Sequence, residues 1–368
     1  MFSLTKRKPT ARVMALADIN SDGIHLALVR SEVGVSRPDI IWSHFEAFPR
    51  AHLERGNEQR LQSSVRSGIL TLEMDGMRFL LQNFPDLHPE VFKVIVSAPL
   101  SETIARGLKF SGQIPVDITT DLMDEVYRSP LLNETPLPLP FGKKLDITTK
   151  TGSLVPLGQN LYQLISVLPA TIYNEFVSAH DRFLPKTELS IEPRIGNYLN
   201  VISDLPHSTE HICLIDLTGS ATELCVVLNG EIHNISHTPH GTDGIISKLA
   251  QSLGLPESEA EHLFRDNDVD GRGSLSDSKS ALLADVFDGY EADLAKLLKD
   301  NDVDELPTTI FLHTEEGAQR FLRDRLFALD LWKARPTIHP ITPKLLGQEI
   351  ATNTPLLVAA LLFHKKGR

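Results

Sequence analysis

The spacing of apolar residues along the chain predicts alternating strands and helices. Residues 70–84 carry apolar side chains at helical spacing, whereas residues 91–98 form a largely apolar run closed by Pro99, as in a buried strand. A second such run at residues 162–168 leads into a helical pattern at residues 170–183. These elements predict a mixed α/β protein.

One hairpin-like unit occurs twice in the chain. Residues 13–29 align with residues 211–227, and in each an apolar strand runs into a small polar turn and returns as a second apolar strand. Asp18 beside the first turn aligns with Asp216 beside the second. Because any two β-hairpins share some of this pattern, chance similarity remains an alternative. The repeat predicts two related halves.

Two other stretches interrupt this duplication, and we interpret them as insertions. The predicted division is a first half over residues 1–90, an inserted small α+β subdomain over 91–170, a return to the first half with a connecting helix over 171–210, a second half over 211–245, an inserted helical subdomain with an acidic loop over 246–305, and over 306–368 the completion of the second half with a C-terminal helix packed on the first half.

The overall charge argues against nucleic acid as a partner. Lys plus Arg number 36 against 48 Asp plus Glu, for a net charge of -12, and such a surface does not attract phosphate backbones. The longest apolar run, residues 356–363, is far shorter than the roughly 20 residues of a membrane-spanning helix. No apolar segment follows the basic N-terminus. We therefore expect a chain that neither spans a membrane nor is exported.

The chain has two cysteines, which are too few for a disulfide scaffold and fit a reducing cytoplasm. Cys213 and Cys225 lie at equal sequence distances from Gly219. We therefore expect them opposite or nearly opposite each other on neighbouring strands of the second hairpin. Their expected role is apolar packing as free thiols.

The order of the motifs resembles a known superfamily over most of the chain. The motifs are Met1-Phe-Ser-Leu-Thr-Lys-Arg-Lys8, the hairpin at Asp18, Leu189-Ser-Ile-Glu-Pro193 before a helix, the hairpin at Asp216, Pro239-His-Gly-Thr-Asp243 before a helix, and Ile310-Phe-Leu-His-Thr-Glu-Glu-Gly-Ala318. Together they resemble the PilM/FtsA-like branch of the actin-like ATPase superfamily. The resemblance implies an α/β, actin-like fold, a duplicated ribonuclease H-like architecture, with an SHS2-like subdomain at residues 91–170.

Within that branch, the PilM type of type IV pilus assembly protein is the better match. FtsA-like chains are expected to continue past the core into an amphipathic membrane helix, whereas this sequence ends at Arg368. The resemblance implies a cytoplasmic scaffold at the inner face of the cytoplasmic membrane. Its implied partner is the short cytoplasmic peptide of a membrane-anchored pilus protein of the PilN kind. The alternatives are an FtsA-like division protein that self-associates and an active sugar or acid kinase of the same superfamily.

The resemblance also implies a nucleotide site between the two hairpins. Small residues are needed in its turns because backbone N–H groups must approach phosphate oxygens closely. Asp18 and Asp216 would organise Mg²⁺, although both could instead only shape their turns. The nucleotide-binding candidates, if ATP binds, are Asp18, Ser21, Asp216, Gly219, Thr222, Gly241 and Gly317.

Several substitutions weaken this expected site. Asn20 stands where the family has glycine in the first turn, and Thr218 and Ser220 replace glycines in the second. Glu315 and Glu316 stand where glycines usually contact the nucleoside, and their charge would repel phosphates. We therefore expect weak ATP and Mg²⁺ binding, and the sequence leaves hydrolysis open while favouring a non-enzymatic role.

The acidic loop beginning at residue 266 matches the Ca²⁺-loop template in part. The oxygen ligands would come from Asp266, Asp268, Asp270 and Asp277. However, Gly273 stands where an apolar residue is usual, and the final ligand position has Asp instead of Glu. The favoured interpretation is a solvated acidic loop without calcium.

Both ends of this acidic protein are basic. The residues are Lys6, Arg7, Lys8, His364, Lys365, Lys366 and Arg368. If they converge on one face, they would favour peripheral contact with an anionic membrane surface. The alternative is that they are solvated chain ends.

Overall fold

The computed structural model describes residues 11–49, 58–108, 152–157, 160–205, 210–265, 277–301, 303, 305–314, 318–347 and 353–366. The strands are β1 (Ala11–Ile19), β2 (Gly23–Glu32), β3 (Asp39–Ala47), β4 (Pro89–Val96), β5 (Glu102–Leu108), β6 (Gly152–Leu157), β7 (Asn160–Val167), β8 (Glu188–Pro193), β9 (Ile212–Leu217), β10 (Thr222–Leu228), β11 (Glu231–Thr238), β12 (Thr309–Thr314) and β13 (Thr337–Pro340). The helices are α1 (Glu58–Thr71), α2 (Met77–Asn83), α3 (Ala170–Phe183), α4 (Arg194–Ile202), α5 (Thr242–Leu253), α6 (Glu257–Arg265), α7 (Asp277–Lys299), α8 (Ala318–Ala328) and α9 (Thr354–Lys366), with a π-helical turn, Leu72–Gly76, between α1 and α2.

Two five-stranded sheets repeat one topology. The first sheet has the order β3-β2-β1-β4-β8 and the second has the order β11-β10-β9-β12-β13. In each, an antiparallel hairpin is followed by strands that run parallel to its first strand. The two hairpins that the sequence repeat predicts therefore occupy equivalent places in the two sheets. We call the parts built on these sheets the first half and the second half.

The first hairpin is apolar because both faces of its sheet are covered. Val13, Ala15 and Ala17 lie in the core cluster that includes residues of α1 and α3. The alternate residues, including Met14 and Leu16, pack against α9. Strands buried on both faces read as continuous apolar runs, which is why the strand signal here is strong.

A third, antiparallel sheet has the order β5-β7-β6. Its strands lie within the insertion predicted at residues 91–170, whereas residues 91–96 of that range belong to β4 of the first sheet. Residues 109–151 lie outside the described part of the chain. The predicted helix at residues 70–84 begins earlier, at Glu58, and contains the π-helical turn. A Cβ at Gly76 in that turn would lie 3.0 Å from the ring of Trp42, so a glycine lets the helix approach the strand.

The two cysteines are buried and unpaired with each other. Cys225 pairs in register with Leu214, whereas Cys213 pairs with Val226. They are therefore nearly opposite, as expected, but one position out of register. Because side chains alternate between faces, the two thiols lie on opposite sides of the second sheet.

The C-terminal basic residues are partly engaged within the fold. His364 is buried and its Nδ1 lies 2.7 Å from the Oγ of Ser31, while Lys365 forms an ion pair with Asp204 at 2.7 Å. His364 is thus not exposed for membrane contact. No helix in the described ranges combines the length and apolarity required to cross a bilayer.

Candidate functional site

A cavity of about 870 Å³ lies between the two halves. The two hairpin turns reach its wall through Ser21 and Thr218, and Arg194 and His313 also line it. The remaining wall comes from both halves and from the start of α9, including Phe45, Ile246 and Thr354. The nucleotide site predicted from the sequence also lies between the two hairpins, and this cleft is therefore its expected location.

The first turn satisfies its own backbone donors. The Oδ1 atom of Asn20 accepts hydrogen bonds from the N–H groups of Asp22, at 2.8 Å, and of Gly23, at 3.0 Å. The N–H of Asn20 in turn donates to the carbonyl of Gly23 at 3.0 Å. The amide side chain at position 20 therefore fills the concave side of the turn, as in an Asx-turn. A glycine there would leave those two N–H groups open.

The second turn donates its backbone N–H groups to side chains of the first. Gly219 N–H donates to Oδ2 of Asp22 at 3.3 Å. Ser220 N–H donates to Oγ of Ser21 at 3.0 Å. The turn is also closed internally, since Thr218 N–H donates to the carbonyl of Ala221 at 2.9 Å. Side chains of the first half therefore use the donors that a bound anion would need.

The N-terminus of α5 packs against the same turn. The N–H groups of Thr242 and Asp243 donate to the carbonyls of Thr218 and Gly219, at 3.1 and 2.7 Å. These are first-turn donors, which in an open helix N-terminus can bind anions. A Cβ at Gly241 would lie 2.3 to 2.6 Å from backbone atoms of the turn. Gly241 is thus required for this close packing.

Negative charge surrounds the second turn. A Cβ built on Gly219 would lie 1.9 Å from Oδ1 of Asp22 and 2.8 Å from Oδ2 of Asp243. Two carboxylates, one from each half, therefore converge on the position where a phosphate would contact this turn. Like charges at such distances repel strongly in a partly buried site.

The floor of the cleft is a buried ionic group. The guanidinium of Arg194 donates from Nε to Oδ1 of Asp18 at 3.1 Å and from Nη2 to both carboxylate oxygens at 2.9 and 2.8 Å. Its Nη1 lies 3.6 Å from Oδ2 of Asp216. The other oxygen of Asp216 lies 2.6 Å from Nδ1 of His313. One arginine thus contacts both aspartates that the sequence singled out.

The opposite charges in this group stabilise one another's ionised forms. Burial alone would lower the pKa of Arg194, but the carboxylates of Asp18 and Asp216 outweigh it and raise that pKa. Burial would raise the pKa of Asp216, and His313 and Arg194 reverse this and lower it. Both ions are therefore held in their charged forms.

Two more buried groups face Asp216. Glu223 pairs with it in register across β9 and β10, and burial together with the charge of Asp216 raises the pKa of Glu223 to about 8. Burial likewise raises the pKa of Tyr198 well above its usual range. Three buried polar atoms here have no hydrogen-bond partner among the described residues: the Oε2 of Glu223, the hydroxyl of Tyr198 and the Oδ2 of Asp216. A proton on Glu223 keeps this cluster from carrying two adjacent negative charges.

The structure brings most of the predicted site residues together. Asp18, Ser21, Asp216 and Gly219 lie at the base of the cleft, and Gly241 packs against the second turn. Thr222 instead donates from Oγ1 to the carbonyl of His240 at 2.7 Å and contacts Tyr290. Gly317, Glu315 and Glu316 lie outside the described residues, as do Asp266, Asp268 and Asp270; Asp277 begins α7.

The sequence did not predict the roles of Arg194, His313 and Asp22. Arg194 had one available signal, because it directly follows Pro193 at the start of a helix that has no other charged residue. His313 lies in a buried strand, and only its register opposite Asp216 reveals its role. No group of three metal-ligating side chains was found within the part of the chain that the structure describes.

Comparison with known proteins supports the fold. No family model and no curated protein matches the chain. Among solved structures, a PilM-PilN type IV pilus biogenesis complex is similar at 13% identity and a TM-score of 0.56, covering 97% of this chain and 99% of that one. A Bacteroides thetaiotaomicron protein with an actin-like ATPase fold and unknown function is similar at 8% identity and a TM-score of 0.50, covering 98% of each chain. The two repeated sheets and these likenesses confirm the predicted α/β class: this chain has the actin-like ATPase fold.

Proposed function

We propose that this protein is an actin-fold scaffold of a type IV pilus or related secretion machine, and that it works without binding or hydrolysing ATP. The observation that carries this proposal is the occupation of both turns by the chain's own side chains. Asn20, Ser21 and Asp22 accept the hydrogen bonds that phosphates would otherwise accept. A kinase or ATPase of this fold needs those donors for its substrate.

The proposed partner is the short cytoplasmic peptide of a membrane-anchored protein of the PilN kind. Support comes from the order of sequence motifs and from the likeness in fold, over nearly the whole of both chains, to a chain of a PilM-PilN type IV pilus biogenesis complex. The protein would therefore act at the inner face of the cytoplasmic membrane. A scaffold of this kind requires a stable shape more than a chemical step.

Nucleotide independence is tested by thermal melting with a few millimolar ATP, with and without Mg²⁺. Since stabilisation scales with RT ln(1 + [L]/Kd), we expect a shift below about 1 °C for the natural protein. The double variant Asn20→Gly with Asp22→Gly opens both turns and should respond more strongly. Asn229→Gly, in a hairpin turn outside the lining of the cleft, is the matched control and should not. A rise of about 5 °C with the natural protein would overturn the proposal.

The partner is tested with the cytoplasmic peptide of a single-span membrane protein encoded beside this chain. Isothermal titration calorimetry should show micromolar binding of that peptide, none of a scrambled peptide, and no effect of ATP. Absence of binding, together with absence of pilus components among the neighbouring genes, would contradict the scaffold assignment.

A further inference from the structure

The buried ionic group at the floor of the cleft joins the two halves of the molecule. Asp18 comes from β1 of the first sheet and Asp216 from β9 of the second. Arg194, at the first residue of α4, lies between them. All three side chains are about 99% buried or more. This contact is therefore part of the interface that closes the cleft.

Two buried carboxylates require a cation at this position. Removing them from water costs several kcal/mol each unless opposite charge and hydrogen bonds compensate. Arg194 provides three hydrogen bonds to Asp18 and a charge contact to Asp216. The other titratable groups facing Asp216 are His313, Tyr198 and Glu223. Arg194 is thus the group that neutralises a carboxylate of each half at once.

The fold family implies a magnesium ion organised by these two aspartates, and the residues present do not fit one. An ion ligated by both carboxylates would have to lie where the guanidinium lies, because Nη2 is 2.8 Å from Asp18 and Nη1 is 3.6 Å from Asp216. A positive side chain at that position would also repel a divalent cation. Metal organisation by Asp18 and Asp216 therefore conflicts with the observed geometry.

We propose that Arg194 is a permanent internal cation that takes the place of a divalent metal ion between Asp18 and Asp216, so that the two halves stay closed without metal or nucleotide. This deepens the proposed function, since it explains how the scaffold keeps one shape. It rests on different residues from those that occupy the turns.

The test compares melting temperatures in EDTA and in a few millimolar Mg²⁺ or Mn²⁺, without nucleotide. The natural protein should melt at the same temperature in all three. Arg194→Ala should melt about 5 °C or more lower in EDTA and recover part of this loss with either cation. Adding Asp18→Asn to Arg194→Ala should abolish the recovery. Arg265→Ala, which removes another arginine lining the same cavity, is the matched control and should show no cation response.

A second measurement reports the closure directly. Spin labels on cysteines placed at the exposed positions Ser63, in α1, and Glu257, in α6, should give one narrow distance distribution in EDTA. With Arg194→Ala the distribution should broaden in EDTA and narrow again in Mg²⁺. An unchanged distribution in that variant would contradict the role in closure.

If Arg194→Ala does not fold, a triple variant still tests the proposal. The triple variant Asp18→Asn, Asp216→Asn, Arg194→Met removes all three charges and should fold, because uncompensated carboxylates are then absent. If this variant also fails to fold, Arg194 serves packing and the proposal is overturned. Stabilisation of the natural protein by Mg²⁺ or Mn²⁺ would also overturn it. ATP binding by the natural protein would instead overturn only the nucleotide-independent function.

Discussion

Gly219 and Asp22 are in contact across the cleft: a Cβ on Gly219 would lie 1.9 Å from the Oδ1 atom of Asp22, whose Oδ2 accepts the Gly219 N–H. The two residues come from different halves. A side chain at position 219 would displace the carboxylate that closes the turn. Substitutions in the second turn should therefore change the stability of the interface between the halves.

A set of three glycine substitutions should separate backbone crowding from side-chain crowding. Gly241→Ala places a Cβ 2.3 to 2.6 Å from backbone atoms, and we expect a loss of roughly 2 kcal/mol or more in the free energy of unfolding. The Cβ of Gly219→Ala would first contact the end of the Asp22 side chain. Because that side chain can rotate away, we expect a loss of about 1 kcal/mol in the free energy of unfolding.

Gly244→Ala is the matched control for this set. It lies two residues into α5 after Thr242, and a Cβ there would meet nothing within 4 Å among the described residues. Since alanine is the better helix former, the variant should be as stable as the natural protein or about 0.5 kcal/mol more stable. Urea unfolding measures all three, and equal losses for Gly219→Ala and Gly241→Ala would contradict the ordering.

Glu223 should make stability depend on pH. Its pKa of about 8 in the folded protein exceeds the ordinary 4.5, so the folded state keeps a proton that the unfolded chain releases. The associated stability is complete below about pH 4.5 and is lost as pH rises to about 8. We expect the free energy of unfolding to decrease by roughly 2 to 4 kcal/mol over that interval.

Glu223→Gln should flatten this dependence, because a glutamine is neutral throughout. The variant should match the natural protein near pH 5 and exceed it at pH 8.5, as measured by urea midpoints. Glu210→Gln, at an exposed position, should leave the pH dependence as it is. Identical slopes for the natural protein and Glu223→Gln would exclude Glu223 as the source.

The two thiols should be unreactive in the folded protein. Cys213 and Cys225 are buried, and burial raises the pKa of Cys213 to about 12 and that of Cys225 well above its usual range. A thiol reagent should therefore label neither in native buffer and both after denaturation, because the thiolate is the reactive form. Recovery of no thiol after denaturation would indicate a disulfide and contradict the structure.

The duplication and several of the strands and helices were predictable from the sequence alone. Strands buried on both faces produce apolar runs that are visible locally, and the helix predicted at residues 170–183 coincides with α3. The two hairpins were predictable because a turn and its flanking strands are neighbours along the chain. The register of Cys213 and Cys225 was predicted only to within one position, since a one-residue slip reverses the face of every side chain.

The contents of the cleft depend on contacts between residues that are far apart in the chain. Arg194 and Asp18 are 176 residues apart, and Asp22 and Gly219 are 197 apart; no local periodicity relates such positions. The sequence could show that glycines were missing from the turns, because composition is local information. It could not show that Ser21 and Asp22 accept hydrogen bonds from the second turn, or that a guanidinium lies between the aspartates, because those contacts depend on how the two halves meet.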